Sequence, residues 1–270
     1  MPKQQFGILA YPASHSLSPL LHNQAFAACG LSAQYNFFEI PPAKLAEFFQ
    51  KVREEKIAGL SVSLPHKVTC RAFLDECEEA AEKIGAVNTV FWHQEKLVGT
   101  NTDFGGALAA LQTKIDPAQK KIVVLGGGGA ARAVVFALQQ AQAQAIQIIT
   151  RELAESAGLQ KDFGVPTDTI ANLANYKPEI LINTTPLGMR GELEGQSFVP
   201  SEFFTQCQPL VFDIVYTPKK TRLLQDAQAA GCLTIPGSEM FLQQAIRQFE
   251  IWTKQPAPIK TMRQTLEKNL

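Results

Sequence analysis

Four consecutive glycines, Gly126 to Gly129, stand mid-chain between an apolar run, Ile122-Val123-Val124-Leu125, and a helix-forming stretch from Ala130 to Gln139. A strand, a glycine turn and a helix in that order make a βα unit. Within it, Gly126-x-Gly128-x-x-Ala131 has the spacing that cradles a dinucleotide pyrophosphate. The first glycine permits the turn, the second lets phosphate reach the backbone, and the small third residue brings helix against strand. Unpaired N–H groups at the helix start then face the anion. A tight structural turn is the plain alternative. Against it, a second apolar strand, Ile146 to Ile149, ends about twenty residues on, where an adenosine ribose is read. Thr150, Arg151 and Glu152 stand at that end. Arg151 suits a 2′-phosphate and so NADP, whereas Glu152 suits a free ribose hydroxyl and so NAD.

Because the unit is central, more than a hundred residues before it are free to hold a substrate. At 270 residues, 46% of them hydrophobic, the chain is near the length at which single cores divide, so two domains are expected. Strand-like segments at 6–11, 35–40, 59–64, 86–92, 121–125, 145–149, 180–184, 210–215 and 232–235 alternate with helical patterns, which predicts α/β architecture with largely parallel sheets. Ser18 reads as a helix N-cap, Pro19 as a first-turn residue and Gly30 as a stop. The stretch from Asp103 to Lys120, with a helix over Ala107 to Leu111, is the expected domain junction.

Twenty-five basic residues balance twenty-five acidic ones without a block of either sign, which argues against nucleic acid as a partner. A polar start and the lack of a long apolar run predict a soluble cytoplasmic protein without a membrane segment. Five scattered cysteines lacking a CxxC pair fit free thiols in a reducing compartment.

Polar residues gather in the first hundred positions. Ser14, Ser16 and Ser18 alternate, so in an extended segment their hydroxyls share a face and, with the helix opening at Pro19, make a cradle for a carboxylate. Capping by Ser18 is the plain alternative. Ser61 and Ser63 alternate in an otherwise apolar strand followed by Pro65-His66-Lys67, and Asn88 interrupts Ala86, Val87 and Val90, a pattern that predicts a wet cleft. Asp103 is a helix N-cap or a functional carboxylate. Oxidising a hydroxyl to a carbonyl requires a group that exchanges the hydroxyl proton, and a lysine beside a carboxylate, Lys67 with Asp103, can do so. His15, His22, His66 and His93 are rival bases, of which His66 is the one kept in reserve. None has metal-ligand spacing, so no metal is expected.

With these residues assembled, the chain resembles the shikimate dehydrogenase family nearly end to end. The motifs are Ser14-His15-Ser16-Leu17-Ser18-Pro19 with His22-Asn23, Ser61-Val62-Ser63-Leu64-Pro65-His66-Lys67, Gly85-Ala86-Val87-Asn88-Thr89 and Asn101-Thr102-Asp103. The glycine turn with Ala130-Ala131-Arg132, the run Asn183 to Met189, the run Asp213 to Pro218, and the run Gly237 to Ala245 continue the match. The resemblance implies a substrate-binding domain over 1–102, completed by C-terminal helices from about 238 to 270, and a Rossmann domain over 103–237. It implies reversible NADP-linked interconversion of 3-dehydroshikimate and shikimate, a step of aromatic amino acid and chorismate biosynthesis, by an oxidoreductase acting on a CH-OH group.

By position, Ser16 and Ser18 would hold the carboxylate, Ser63, Asn88, Asp103 and Gln244 the ring hydroxyls, and Tyr216 would close the site. Lys67 would be the acid/base with Asp103 its partner. Gly126, Gly127, Gly128, Gly129, Ala130, Thr150, Arg151, Ile214 and Gly237 would meet the cofactor. A small molecule is thus the implied partner, and a homodimer the assembly considered. Departures keep alternatives open. Ser61 stands where many relatives have Asn, and Ser63 where Thr is usual. Glu152 and Glu155 would place two carboxylates near a 2′-phosphate, which disfavours NADP. An NAD-preferring quinate/shikimate dehydrogenase is therefore the second reading. A nucleotide-binding regulator without the chemistry is the third.

Overall fold

The computed structural model describes residues 3–14 and 16–270, so His15 lies outside the described residues. The chain divides into two compact units, residues 1–102 with 244–269, and residues 103–243 with 270. Among the described residues no helix is long and apolar enough to cross a membrane, and all five cysteines are free.

The first unit runs β1 (Gln4–Ala10), α1 (Ser18–Ala28), β2 (Ala33–Glu39), α2 (Leu45–Glu54), β3 (Gly59–Val62), β4 (Glu76–Cys77), α3 (Glu79–Ile84), β5 (Thr89–His93) and β6 (Lys96–Thr100). Its six strands lie in the order β2-β1-β3-β5-β6-β4. β1 is parallel to β2 and β3, but β5 runs antiparallel to both β3 and β6. The expectation of largely parallel sheets holds for three of the five pairings, β4 with β6 included, and is corrected only at β5. The reversal from β5 to β6 is made by a two-residue hairpin at Gln94 and Glu95, whose φ values of 47° and 65° give the doubly left-handed turn that matches strand twist. Glycine or asparagine normally marks such a turn, so β6 had no flag in the sequence.

α1 corrects a second expectation. Its N-cap is Leu17, and Ser18 lies inside the helix with Pro19 in the first turn. Ser16 supplies the capping oxygen instead, accepting the Ser18 amide at 3.2 Å. The Ser16 amide bonds the Ala13 carbonyl at 3.1 Å, a turn contact and not a strand one, so Ser14, Ser16 and Ser18 do not line one face of an extended strand.

Ser61 supplies the third correction. It is buried, and its hydroxyl lies in the core instead of lining a wet cleft. Tyr35 donates to Ser61 Oγ at 2.6 Å and Ser61 donates to Gln248 Oε1 at 2.8 Å. Gln248 belongs to α9 (Gly237–Thr253), which with α10 (Ile259–Asn269) ends the chain. Its amide nitrogen also donates to the Asn88 carbonyl and to Thr89 Oγ1, so one buried side chain ties the helix to β3 and β5. Gln248→Leu should cost about 2–4 kcal/mol, because a buried donor and two acceptors lose their partner. Unfolding followed by the fluorescence of Trp92 and Trp252, the only tryptophans of the chain and both in this unit, measures the loss. Adding Ser61→Ala should restore part of it by removing one of the orphaned groups.

The second unit runs α4 (Asp103–Gln112), β7 (Lys121–Leu125), α5 (Gly129–Gln140), β8 (Ala145–Thr150), α6 (Ala157–Phe163), β9 (Thr167–Thr169), β10 (Ile180–Asn183), α7 (Ser201–Cys207), β11 (Leu210–Asp213), α8 (Arg222–Ala229) and β12 (Thr234–Pro236), then the first turns of α9. All six strands are parallel, in the order β12-β11-β10-β7-β8-β9. Apolar side chains on both faces explain the unbroken hydrophobic runs of β7, β10 and β11. Ile122, Val124, Ile180 and Ile182 pack on one face with α4 and α5, while Val123, Leu125, Leu181 and Val211 pack on the other with α7 and α8. The strand order reverses between β7 and β10. In an open α/β sheet that is the crevice where a ligand binds.

Candidate active site

In the second unit the glycine turn lies at this switch point. Gly126 adopts φ +108°, a conformation open to glycine and strained for other residues. A Cβ there would lie 2.7 Å from the Thr184 hydroxyl, which itself donates to the Leu125 carbonyl at 2.6 Å. Gly127 is required for a reason the motif does not contain. A Cβ on it would overlap the carbonyl of Glu155, in the short helical segment Leu153–Ser156 that rests on the turn. Gly128 is the N-cap of α5, and a Cβ there would meet nothing within 4 Å, so its open side is free for a phosphate approaching the helix N–H groups. Gly129 and Ala130 form the first helical residues. These residues fit a dinucleotide.

At the end of β8, Thr150 is buried and donates to the Glu152 carbonyl at 2.9 Å. Arg151 is mostly exposed, and its guanidinium pairs with Glu155 at 2.8 Å. Across the sheet, Ile214, Tyr216 and Gly237 come together. A Cβ on Gly237 would overlap the Ile214 carbonyl, and the Tyr216 ring stacks on Phe241 at 4.3 Å between centroids.

The loops after β10 and β11 are joined by a buried network that the sequence did not reveal. Asn183 and Asp213 are register partners on adjacent strands, and Asn183 Nδ2 donates to Asp213 Oδ1 at 2.8 Å. The Val215 amide donates to the same oxygen at 3.1 Å, and Thr221 Oγ1 to Oδ2 at 2.5 Å. Asn183 Oδ1 accepts from the amide and hydroxyl of Thr185. Burial pushes the Asp213 carboxyl up to about 6, against the lowering effect of Thr221, the Val215 amide and Asn183. The available signal was a polar residue ending each of two otherwise apolar strands.

In the first unit, Ser63, Lys67 and Asn88 are brought to one end of the sheet. The Ser63 amide bonds the Leu9 carbonyl (2.9 Å), the Val62 amide bonds Asn88 (2.7 Å) and the Val87 amide bonds Lys67 (2.7 Å). Ser16 and Ser18 follow β1 at the same end, where parallel β1 and β3 both finish. Asn88 is buried, with Oδ1 accepting the Thr102 amide at 2.7 Å. Gln244, also buried, lies on α9. Asp103, buried as well, is the first residue of α4 and opens the second unit.

Two of the rival bases, His66 and His22, are buried. His66 is sealed from solvent with Nε2 2.7 Å from the Ile40 carbonyl; burial lowers its pKa, the Ile40 contact acting weakly the other way. His22 is fully buried, stacked on Tyr35 at 4.7 Å, and burial pulls its imidazole down to about 3.

Comparison with known proteins places this arrangement. Residues 8–90 match the family described as shikimate dehydrogenase substrate binding domain, and residues 237–267 match the shikimate 5'-dehydrogenase C-terminal domain. A shikimate dehydrogenase (NADP(+)) of Pelobacter propionicus is 41% identical over 254 residues, covering 94% of this chain and 92% of the relative. The shikimate 5-dehydrogenase of Thermus thermophilus, solved in complex with NADP(H) and shikimate, superposes with a TM-score of 0.88 at 32% identity, covering 99% of this chain and all of that one. A ligand-free 5-ketofructose reductase of Gluconobacter superposes at 0.84 with 30% identity and full coverage of both chains. The chain belongs to the shikimate dehydrogenase family.

Proposed function

We propose that the chain is an NADP-dependent shikimate dehydrogenase that interconverts shikimate and 3-dehydroshikimate. The observation that carries the reading is the backbone arrangement that brings Ser63, Lys67 and Asn88 to the end of the first sheet at which β1 and β3 finish. The nicotinamide, when bound, supplies the hydride acceptor or donor. Gly126, Gly127, Gly128, Gly129 and Ala130 hold its pyrophosphate, Thr150 and Arg151 its adenosine end, and Ile214 and Gly237 its far end.

Lys67 Nζ takes the proton of the ring hydroxyl during oxidation and returns it during reduction, with the Asp103 carboxylate orienting both. Ser16 and Ser18 hold the substrate carboxylate, Ser63, Asn88 and Gln244 its hydroxyls, and Tyr216 covers it. The five free thiols suit a cytoplasmic setting. The nicotinamide absorbance assay with shikimate and quinate against NADP and NAD tests the proposal. Shikimate with NADP should give the highest kcat/KM, and no turnover of either acid with either cofactor would overturn it.

The Arg151–Glu155 pair bears on the cofactor. An arginine held by its own carboxylate must release it before gripping a 2′-phosphate. Glu155→Gln should therefore raise kcat/KM for NADP by roughly two- to fivefold, the range of an exposed ion pair, with little change for NAD. Equal gains with both cofactors would separate Glu155 from the 2′-phosphate.

A further inference from the structure

The Asn183 and Asp213 motifs were conspicuous in the sequence, yet the proposed chemistry gives them no task. We infer that Asp213 is a positioning residue for the reaction: through Asn183, Thr221 and the Val215 amide, its buried carboxylate holds the loop after β10 and the loop after β11 in one register. The inference rests on the reading in which Ile214 meets the cofactor and Tyr216 the substrate. The Ile214 amide is bonded to the Asn183 carbonyl at 3.1 Å, and the Arg190 amide to the Thr217 carbonyl at 2.8 Å, so backbone bonds on either side of the carboxylate link the two loops. Gly188 packs on the Thr221 side chain, where a Cβ on it would lie 3.1 Å from Thr221 Cβ. Thr184, next to Asn183, touches the site of the absent Gly126 Cβ, so the same network reaches the glycine turn.

A charged carboxylate is the stronger acceptor here, since hydrogen bonds to an ionised group are about twice as strong as neutral ones. The groups touching it, Asn183 from β10, the Val215 amide of its own loop and Thr221 at the start of α8, carry no charge. Protonation therefore weakens the clamp without creating a new ion pair. Because burial raises this carboxyl to about 6, ionisation costs stability as pH rises from the ordinary carboxylate range through 6, although it tightens the loops. A merely structural group would lose stability and activity together, whereas this one separates them.

Asp213→Asn, a neutral isostere, decides the matter. At pH 8 kcat/KM for shikimate with NADP should fall about tenfold, from weakening two charge-assisted bonds. The melting temperature at that pH should be unchanged or higher. The wild-type profile should descend through pH 6 to meet a variant profile that is flat there. Hydrogen exchange at the amides of Thr185, Leu187 and Val215 should quicken in the variant. Thr221→Val, which keeps the shape against Gly188 but removes a bond that favours the anion, should move the wild-type descent to higher pH, and it serves if the asparagine variant does not fold. Wild-type kcat/KM across pH 5–8 in Asp213→Asn, a melting temperature that falls in step with activity, or unchanged loop exchange would each overturn the inference. Absence of wild-type turnover with shikimate would instead strike the functional reading, and the exchange measurement would still judge the clamp.

Discussion

Lys67→Ala should lower kcat by about 10²–10⁴-fold, the usual contribution of a positioned acid/base, while the KM for shikimate changes comparatively little. His66 spends Nε2 on the Ile40 carbonyl, and His22 is enclosed by aromatic rings and stays uncharged near neutrality. Lys67 differs from both because it is partly accessible, and its main chain is pinned by the Val87 amide at the end of the sheet that Ser63 and Asn88 also reach. Removing the ammonium leaves Ser63, Asn88 and Gln244, the proposed hydroxyl-binding groups, in place, so binding should survive better than turnover. Lys67→Arg gives a useful companion, since a guanidinium cannot give up its proton near neutral pH and should rescue little of the rate. Steady-state kinetics in both directions measure the effect. A variant with wild-type kcat would remove Lys67 from the chemistry.

Acid should destabilise the first unit through His22 alone by about 3 kcal/mol at pH 4, and by about 5 kcal/mol in the limit, as the difference between 6.5 and about 3 implies at 1.36 kcal/mol per pH unit. The sign follows from the depressed value. The unfolded chain binds the proton first, so the stability present above pH 6.5 is lost progressively as pH falls toward 3. The cause is desolvation: the ring sits on Tyr35 with Trp252 at 5.1 Å and Phe26 at 6.3 Å, and although Gln248 approaches, neither nitrogen finds a partner in hydrogen-bond geometry. Such a loss is comparable with the whole stability of many domains. Urea unfolding between pH 7 and pH 4, read by tryptophan fluorescence, should show the slope in the wild type. In His22→Phe, which keeps a ring in the stack, that slope should flatten. Parallel losses in the two proteins would assign the acid sensitivity elsewhere.

The second unit was the more legible in sequence, for a physical reason. Parallel strands covered on both faces must be apolar throughout, so β7 at Lys121–Leu125 could be read to the residue. Gly126, Gly128 and Ala131 announced the turn because each is needed by local geometry. Contacts distant in sequence left no such trace. Ser61 looked like a cleft residue because its partners, Tyr35 and Gln248, lie 26 and 187 positions away. Gly127 read as one more phosphate glycine, whereas its missing side chain also makes room for main chain 28 residues later. Which of Ser16 and Ser18 caps α1 depended on a turn at Ala13 that periodicity does not encode. The short edge strands β4 and β9, two and three residues long, offered no periodic signal.

The contact between Gly127 and Glu155 limits how coenzyme choice can evolve in this scaffold. Since main chain rests on main chain there, transplanting a differently shaped segment at 153–156 would collide with the turn beneath it. Side chains at 151, 152 and 155 remain free to vary. If the adenosine end binds there as proposed, coenzyme preference is open to point substitution at these three positions, while an insertion would have to displace the turn.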